Sequence, residues 1–450
     1  MATNAAAKRD RSAGISYQEL IAGDVVPPPT VLTLESPYDG PLASVPVSRY
    51  TSRAFHELEM ERLWPRVWQM ACREEEIPNV GDYHVYEIGS YSILVVRTQQ
   101  GIKAHHNVCR HRGRRLCDFN GHAASFICPF HGFSWHIDGS LRSITSEWDF
   151  PHVDKENFDL TPVQCETWGG WVFINMDLNA GPLAEFLGDL PAHFEPWSPE
   201  DRYIEAHVGK VMNCNWKLCQ EAFMEAFHVI TTHPQLLASI GDENSQYDAW
   251  GNISRAITPN GTPSPHIRWE PTEQDKLESV TMRALDDPEG PNVPEGMTAR
   301  AMMAAGARAA LQEIVGKDKA IADAEVSDSI YYTLFPNFHP WGGYNRIVYR
   351  FRPWKDRHDQ SLMECYYLSP FKGERPAPAP LHLLGEDEPW TDAAELGVLA
   401  KVFTQDTFNL PNVQRGLQAA QYDEVVFARY QETKLRHFHQ LLSDWIGAQS

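Results

Sequence analysis

Two cysteine–histidine pairs, Cys109-x-His111 and Cys128-x-x-His131, constrain this 450-residue chain more than any other feature. Sixteen residues separate the pairs, and each is followed by a glycine, Gly113 or Gly132, that permits a tight turn. Four such donors from two short loops suit one shared metal centre. A fold that uses them must bring the two loops side by side. The surrounding sequence runs in short alternating stretches, YHVYEIG, YSILVVRT, ASFICPF, FSWHI and GWVFINM, punctuated by Gly and Asn. That texture predicts a small all-β unit over roughly 69–165.

The four donors fit a tetrahedral zinc site or a Rieske [2Fe–2S] centre, with two thiolates on one iron and two imidazoles on the other. Cys-x-His is tighter than the usual zinc-finger spacing. Both loops also sit between strands rather than on a helix. These two features favour the Rieske centre.

A second stretch, NWKLCQEAFMEAFHVITTHP over 215–234, sets Glu221, Glu225, His228 and His233 within thirteen positions. Trp216, Cys219, Phe223, Met224 and Phe227 recur at helical spacing, which predicts a buried helix. Charged groups are costly in such a helix unless they are paired or bind a metal. Glu221, Glu225 and His228, at i, i+4 and i+7, would share one helical face. His233 lies about 140° further round an ideal helix from His228. A metal shared by the two histidines therefore needs the helix to end or bulge between them, and Pro234 disfavours helical geometry at His233. The residues alone fit buried histidines satisfied by glutamates, or two ligands of a two-histidine, one-carboxylate iron site.

With CRHRG and CPFHGFSW upstream of the EAFHVITTH run, the chain resembles the α (catalytic) subunits of Rieske non-haem iron ring-hydroxylating oxygenases, from about residue 48 onward. Phe130 stands where electron-transport Rieske proteins carry a disulfide cysteine. The resemblance implies that Cys109, His111, Cys128 and His131 hold the [2Fe–2S] cluster, and that His228, His233 and Asp406 hold a mononuclear Fe(II). Asp406 lies in KVFTQDTFNLPN, after Gln405, where many members carry Glu. Glu225, where many members have Asp, is implied to bridge a Rieske histidine of one subunit (His131) to His228 of the next. Glu221 stands where some ring dioxygenases have Asn, and is expected to line the site or orient His228. Ala222, Ala226 and Val229 are expected beside the substrate, with Trp341, Phe335 and Phe338 as a possible apolar wall or simply core.

The implied fold is α+β: an N-terminal arm (1–47), a Rieske domain (48–165) and a helix-grip, START-like catalytic domain (166–450) with an antiparallel sheet and long helices. The segment 255–329 reads as an insertion, either a lid or a surface excursion. The implied partners are an organic substrate, O2 and a reductase or ferredoxin, in a homotrimer with or without a β subunit. An aromatic or polycyclic, steroid-like substrate is the leading expectation. The alternatives are a monooxygenase or demethylase acting on N-methyl, O-methyl or alicyclic positions, and a non-catalytic Rieske electron carrier.

The net charge of −21 argues against nucleic-acid binding through a basic surface. No apolar run approaches the ~18 residues that span a bilayer. The opening MATNAAAKRDRSAG has no apolar segment, and the expected location is cytoplasmic. Eight cysteines in a long chain of this kind are expected to stay reduced.

Overall fold

The computed structural model describes residues 14–41, 43–283 and 290–447. Residues 1–13 and 42 of the expected arm, and 284–289 of the expected insertion, lie outside the described residues. The chain divides into two compact units. One comprises 56–186 with 353–357, and the other comprises the remainder.

The smaller unit is β-rich, with the helix Arg53–Arg62 leading into it and the short helix Leu183–Leu187 at its end. Its seven-stranded sheet runs in the order Gln69–Arg73, Trp171–Asn175, Pro162–Trp168, Gly101–His106, Tyr91–Thr98, Asp82–Ile88 and Gly121–His122. A three-stranded sheet, Ser125–Ile127, Ser134–His136 and Leu141–Ser143, carries the second Cys/His loop. The boundary expected after residue 165 falls inside a hairpin. Gly169 and Gly170, both at positive φ, turn the chain back so that Trp171–Asn175 pairs within the sheet instead of leaving it. Leu94, Val96, Phe126, Phe133, Trp135 and Leu160 form a core around Cys109 and Cys128. The Trp135 indole is fully buried and donates to Phe158 O at 2.9 Å. Such a polar handle lets a large ring serve as core.

The larger unit is α+β. Its eight-stranded sheet runs Gln246–Trp250, Ile253–Thr258, Ser329–Leu334, Phe338–Pro340, Ile347–Pro353, Ser361–Pro370, Arg202–Met212 and Leu381–Leu384. Arg202–Met212 pairs antiparallel with Ser361–Pro370 and parallel with the edge strand Leu381–Leu384, and the strands from Gln246–Trp250 to Ile347–Pro353 pair antiparallel in succession. Ile253–Thr258 pairs with Ser329–Leu334, so the excursion between these strands begins after Thr258 rather than at 255. It carries the long helix Ala299–Val315. The C-terminal helix Thr433–Ile446 buries Leu435, Phe438, Leu442 and Ile446 on one side, the spacing of an amphipathic helix. Among the described residues, no helix is long and apolar enough to cross a membrane.

The stretch 215–234 is not one helix. Asn215 caps a short helix, Trp216–Glu221, through Oδ1 accepting from Lys217 N, and a second turn spans Val229–Thr232. Between them, Phe223 N and Met224 N donate to Gln220 O and Glu221 O, which is 3₁₀-like tightening at a helix end. Side chains then take the next donors: Ala226 N bonds Tyr247 Oη (3.0 Å) and His228 N bonds Glu225 Oε2 (2.9 Å). Polar side chains that capture backbone N–H groups compete with the helical ladder. Glu221, Glu225 and His228 therefore do not share a helical face, and Phe227 is 43% exposed rather than buried.

Candidate metal centres

The two Cys/His loops are built alike. Cys109 N donates to Arg114 O and Gly113 N to Cys109 O, while Cys128 N donates to Phe133 O and Gly132 N to Cys128 O, all at 2.8–2.9 Å. Gly113 and Gly132 adopt φ of 76° and 77°, a region unfavourable to other residues. Each loop is thus a turn closed on its own cysteine. Both cysteines are buried and in no disulfide. The rings of His111 and His131 meet at 4.7 Å between centroids, and His111 stacks on Phe133 at 4.6 Å.

Nδ1 of His111 and Nδ1 of His131 are both buried without a hydrogen-bond partner. Buried polar atoms are normally satisfied, so two orphaned ring nitrogens on adjoining loops, beside two buried thiols, fit a Rieske cluster. Burial, reinforced by His131 and Arg112, lowers the His111 pKa and favours the neutral imidazole that ligates metals. Burial raises the Cys109 thiol.

In the larger unit, His228, His233 and Asp406 converge, with one donor atom from each lying within 4.8 Å of the others. Asp406 Oδ1 faces both imidazoles, at 2.6 Å from His233 Nε2 and 3.5 Å from His228 Nε2. The helix Leu399–Phe408 supplies Asp406, which is 8% exposed and not a solvated or capping residue. His233 caps the end of Val229–Thr232 with φ of −128°, so the helix does stop between the two histidines.

The other ring nitrogen of each histidine is fixed. His228 Nδ1 donates to Glu225 Oε1 at 2.8 Å, and His233 Nδ1 donates to Gln405 Oε1 at 2.9 Å. Gln405 Oε1 also accepts from Gln235 Nε2. Both histidines thereby turn Nε2 toward Asp406, and a metal bound between them would take the place of the Nε2 protons while the Nδ1 bonds hold the rings in position. Two imidazoles and one carboxylate match the donor set of a non-haem Fe(II) site. Without a cation, burial lowers the His228 pKa, but Glu225 and Asp406 outweigh it and raise it to about 10. The site therefore favours positive charge. Asp406 is pulled the other way: burial raises its carboxyl, and bonds to the two histidines bring it below the ordinary range.

Glu221 is not at this site. Its Oε2 accepts from Tyr50 Oη (3.1 Å) and its Oε1 from His439 Nε2 (2.9 Å). Arg49 Nη1 lies 3.2 Å from His439 Nδ1 and, as an obligate donor, sets the tautomer. The expectation that Glu221 orients His228 fails because the helix ends at Glu221 and Glu225 takes that role. Ala222 packs against the main core. Ala226 and Val229 pack with Leu236, Leu237 and Ile240. Phe335 stacks near Phe438 and Trp445 as core, and does not join Trp341 in a wall.

Trp341 instead joins an aromatic cluster with buried tyrosines that the motifs did not reveal. Trp341 lies 5.4 Å from Tyr331 and 6.0 Å from Tyr349, and Tyr349 packs on Phe223 and Phe403. Burial first, and then nearby charge, raises the hydroxyls of these tyrosines: Glu225 acts on Tyr247 and Tyr331, and Asp406 on Tyr349. Tyr331 and Tyr349 carry no sequence signal beyond their place in the aromatic runs 329–340 and 345–354.

The ring hydroxylating alpha subunit (catalytic domain) family profile matches residues 191–448, and the Rieske [2Fe-2S] domain profile matches 67–153. The chain belongs to the ring-hydroxylating oxygenase α-subunit family, an oxidoreductase family with a Rieske [2Fe–2S] domain and a non-haem iron catalytic domain. It is similar to the glycine betaine monooxygenase oxygenase subunit of Pseudomonas aeruginosa, 33% identical over 201 residues, 44% of this chain and 46% of the relative. It is also similar to the biphenyl 2,3-dioxygenase subunit alpha of Rhodococcus jostii, 35% identical over 191 residues, 41% of this chain and 42% of the relative. The chain thus spans less than half the length of either relative. A crystal structure of a quaternary ammonium Rieske monooxygenase shares the fold, with a TM-score of 0.64 and 20% identity over 90% of this chain and 96% of that one.

Proposed function

We propose that this chain is the terminal oxygenase of a multicomponent system, and that it hydroxylates a carbon attached to nitrogen, as in an N-methyl or quaternary ammonium group. The oxygenase assignment is carried by one observation: His228, His233 and Asp406 meet, with both Nδ1 atoms held by Glu225 and Gln405. In this assignment those three side chains hold Fe(II), and Cys109, His111, Cys128 and His131 hold the cluster. When bound, the iron supplies O2 activation, which closed-shell organic groups alone lack. The net reaction adds one oxygen atom of O2 to the substrate and reduces the other to water, using two electrons and two protons. NAD(P)H provides the electrons through a separate reductase or ferredoxin.

The chain's own residues set orientation and charge. Glu225 and Gln405 fix both imidazoles; in this reading the chain works as a trimer in which Glu225 joins His131 of a neighbouring subunit to His228. The Tyr331 ring already carries Lys434 Nζ at 4.6 Å, and Trp341 and Tyr349 are the aromatic rings packed beside it. The carboxylates of Glu225 and Asp406 favour positive charge nearby. These carboxylates, with the relatives named for glycine betaine and quaternary ammonium substrates, support an N-alkyl substrate over the apolar polycycle expected from sequence.

Hydroxylating an N-methyl carbon gives a carbinolamine that collapses to formaldehyde and the demethylated amine. The test is turnover with NAD(P)H, a matching reductase and a panel holding trimethylammonium compounds, N-methyl tertiary amines and biphenyl. Formaldehyde matched to NAD(P)H consumed, from an N-methyl substrate, is the expected result. A dihydrodiol from biphenyl with no formaldehyde from any amine would overturn the substrate assignment and leave the oxygenase assignment standing.

A further inference from the structure

We propose that Cys72, Glu76 and His84, in the smaller unit and outside both metal centres already described, form a site for a zinc-like divalent cation. One donor atom from each lies within 4.8 Å of the other two. They come from three consecutive elements: Cys72 from the strand Gln69–Arg73, Glu76 from the 3₁₀ turn Glu74–Glu76, and His84 from the strand Asp82–Ile88. Thiolate, imidazole and carboxylate on three elements are donors of the borderline kind that Zn(II) selects, with water completing the tetrahedron.

The hydrogen bonds around two of the donors prepare them for this role. Glu76 Oε2 accepts from Arg73 N at 2.7 Å, which fixes the carboxylate and leaves Oε1 facing His84 Nδ1 at 3.9 Å. Tetrahedral bonds of about 2.0–2.1 Å set two such donors about 3.3 Å apart, so the partly exposed His84 and Glu76 side chains close by about half an ångström on a bound cation. Asn120 Oδ1 accepts from Val85 N at 2.8 Å, so its amide is fixed with Nδ2 toward His84 Nδ1 at 3.2 Å. A donor placed there means that Nδ1 carries a lone pair and not a proton. The imidazole is thus held as the tautomer that ligates through the nitrogen facing Glu76. The Asn120 amide yields that lone pair when a cation arrives. Cys72 is in no disulfide and fully buried, while the side chains of His84 and Glu76 are 13% and 16% exposed. A cation therefore reaches the site past the histidine and glutamate, and the thiol closes it from within. Binding releases the Cys72 thiol proton to solvent.

The experiment uses the full iron-loaded protein, titrated with Zn(II) by calorimetry in two buffers of different ionisation enthalpy, with zinc and iron then counted after dialysis. The expected result is one zinc per chain beyond the iron, with about one proton released per zinc. Cys72→Ser and His84→Gln should each weaken binding by at least about tenfold, the usual scale for losing a contact of the metal shell, with iron content unchanged. His84→Gln keeps a polar side chain at a partly exposed position, so it serves if Cys72→Ser does not fold. Zinc bound with no proton release, or bound equally by both variants, would overturn the assignment, as would no uptake at micromolar free zinc. Zinc that displaces iron and is lost in Asp406→Ala would place it in the triad, and would also overturn the proposal.

Discussion

Glu221→Gln isolates a buried carboxyl that the sequence had placed at the catalytic centre. Burial is the first cause acting on Glu221 and raises its pKa to about 8 from an ordinary 4.5, against the lowering effects of Tyr50 and Lys217. Between those values the folded protein holds a proton that the unfolded chain has released, so stability falls as pH rises from 4.5 and levels off above 8. Buried histidines act in the opposite sense. His105, His193, His339, His437 and His439 are all lowered by burial, so the unfolded chain alone binds their protons below about 6.5, and stability climbs with pH up to that point. Above 6.5 the lowered histidines no longer contribute, and His228, raised to about 10, is common to both proteins, so the difference between wild type and variant from 6.5 to 8 reports Glu221. At 1.36 kcal/mol per pH unit this window is worth about 2 kcal/mol. For a unit of roughly 300 residues, an unfolding entropy near 2.1 cal/mol/K per residue converts that to about 3 °C in Tm. Thermal melts of the wild-type and variant proteins, followed by circular dichroism at pH 6.5 and 8.5, read the difference. The amide keeps an acceptor for His439 and turns its NH2 to the Tyr50 hydroxyl, so the packing survives. The variant should lose about 3 °C less than the wild type across this window, while its mononuclear iron content stays unchanged. Parallel pH profiles would refute the proton assignment, and loss of iron would refute the placement of Glu221 away from the metal centre.

Asp406→Ala should lower iron from about three to about two per chain and abolish turnover, while the Rieske visible spectrum persists, because only the larger unit's site loses a ligand; retained turnover would refute its ligand role. Glu225→Gln should keep both metals but slow oxidation of the reduced cluster in single-turnover experiments by about 10–100-fold, the scale expected for losing an outer-shell partner; an unchanged rate would remove Glu225 from the electron path. Tyr247→Phe strands the buried Ala226 N–H, at a cost of about 1–3 kcal/mol. It should raise the rate at which a chelator strips the mononuclear iron, and a chelation rate equal to wild type would show that the Ala226 bond does not hold the ligand segment.

The legible parts of this chain were those whose partners are close in sequence. The Cys109/His111 and Cys128/His131 turns could be read because each closes on its own cysteine within five residues, and glycine at positive φ marks the place. The β texture of the smaller unit came from strict alternation, although the Gly169–Gly170 hairpin that returns a strand to the sheet was missed. Asp406 lies 173 positions beyond His233, so no spacing argument reaches it, and only the family resemblance nominated it. Tyr247 and Tyr349 were invisible for the same reason, since the sheet brings distant strands together.

The failure at 215–234 has a different cause. Apolar residues at helical spacing report a buried face only while backbone donors find carbonyls four residues back. Here Tyr247 takes the Ala226 N–H, and Glu225 takes both the N–H and the Nδ1–H of His228 through its two carboxylate oxygens. The periodicity persists in the sequence although the ladder is broken. The break follows from the same carboxylate that orients the imidazole, so the irregular backbone and the ligand geometry have one origin. A side chain read only by its charge and spacing shows the cost of burying Glu225. It does not show that Glu225 offsets this cost by replacing two turns' worth of helical geometry with a fixed histidine.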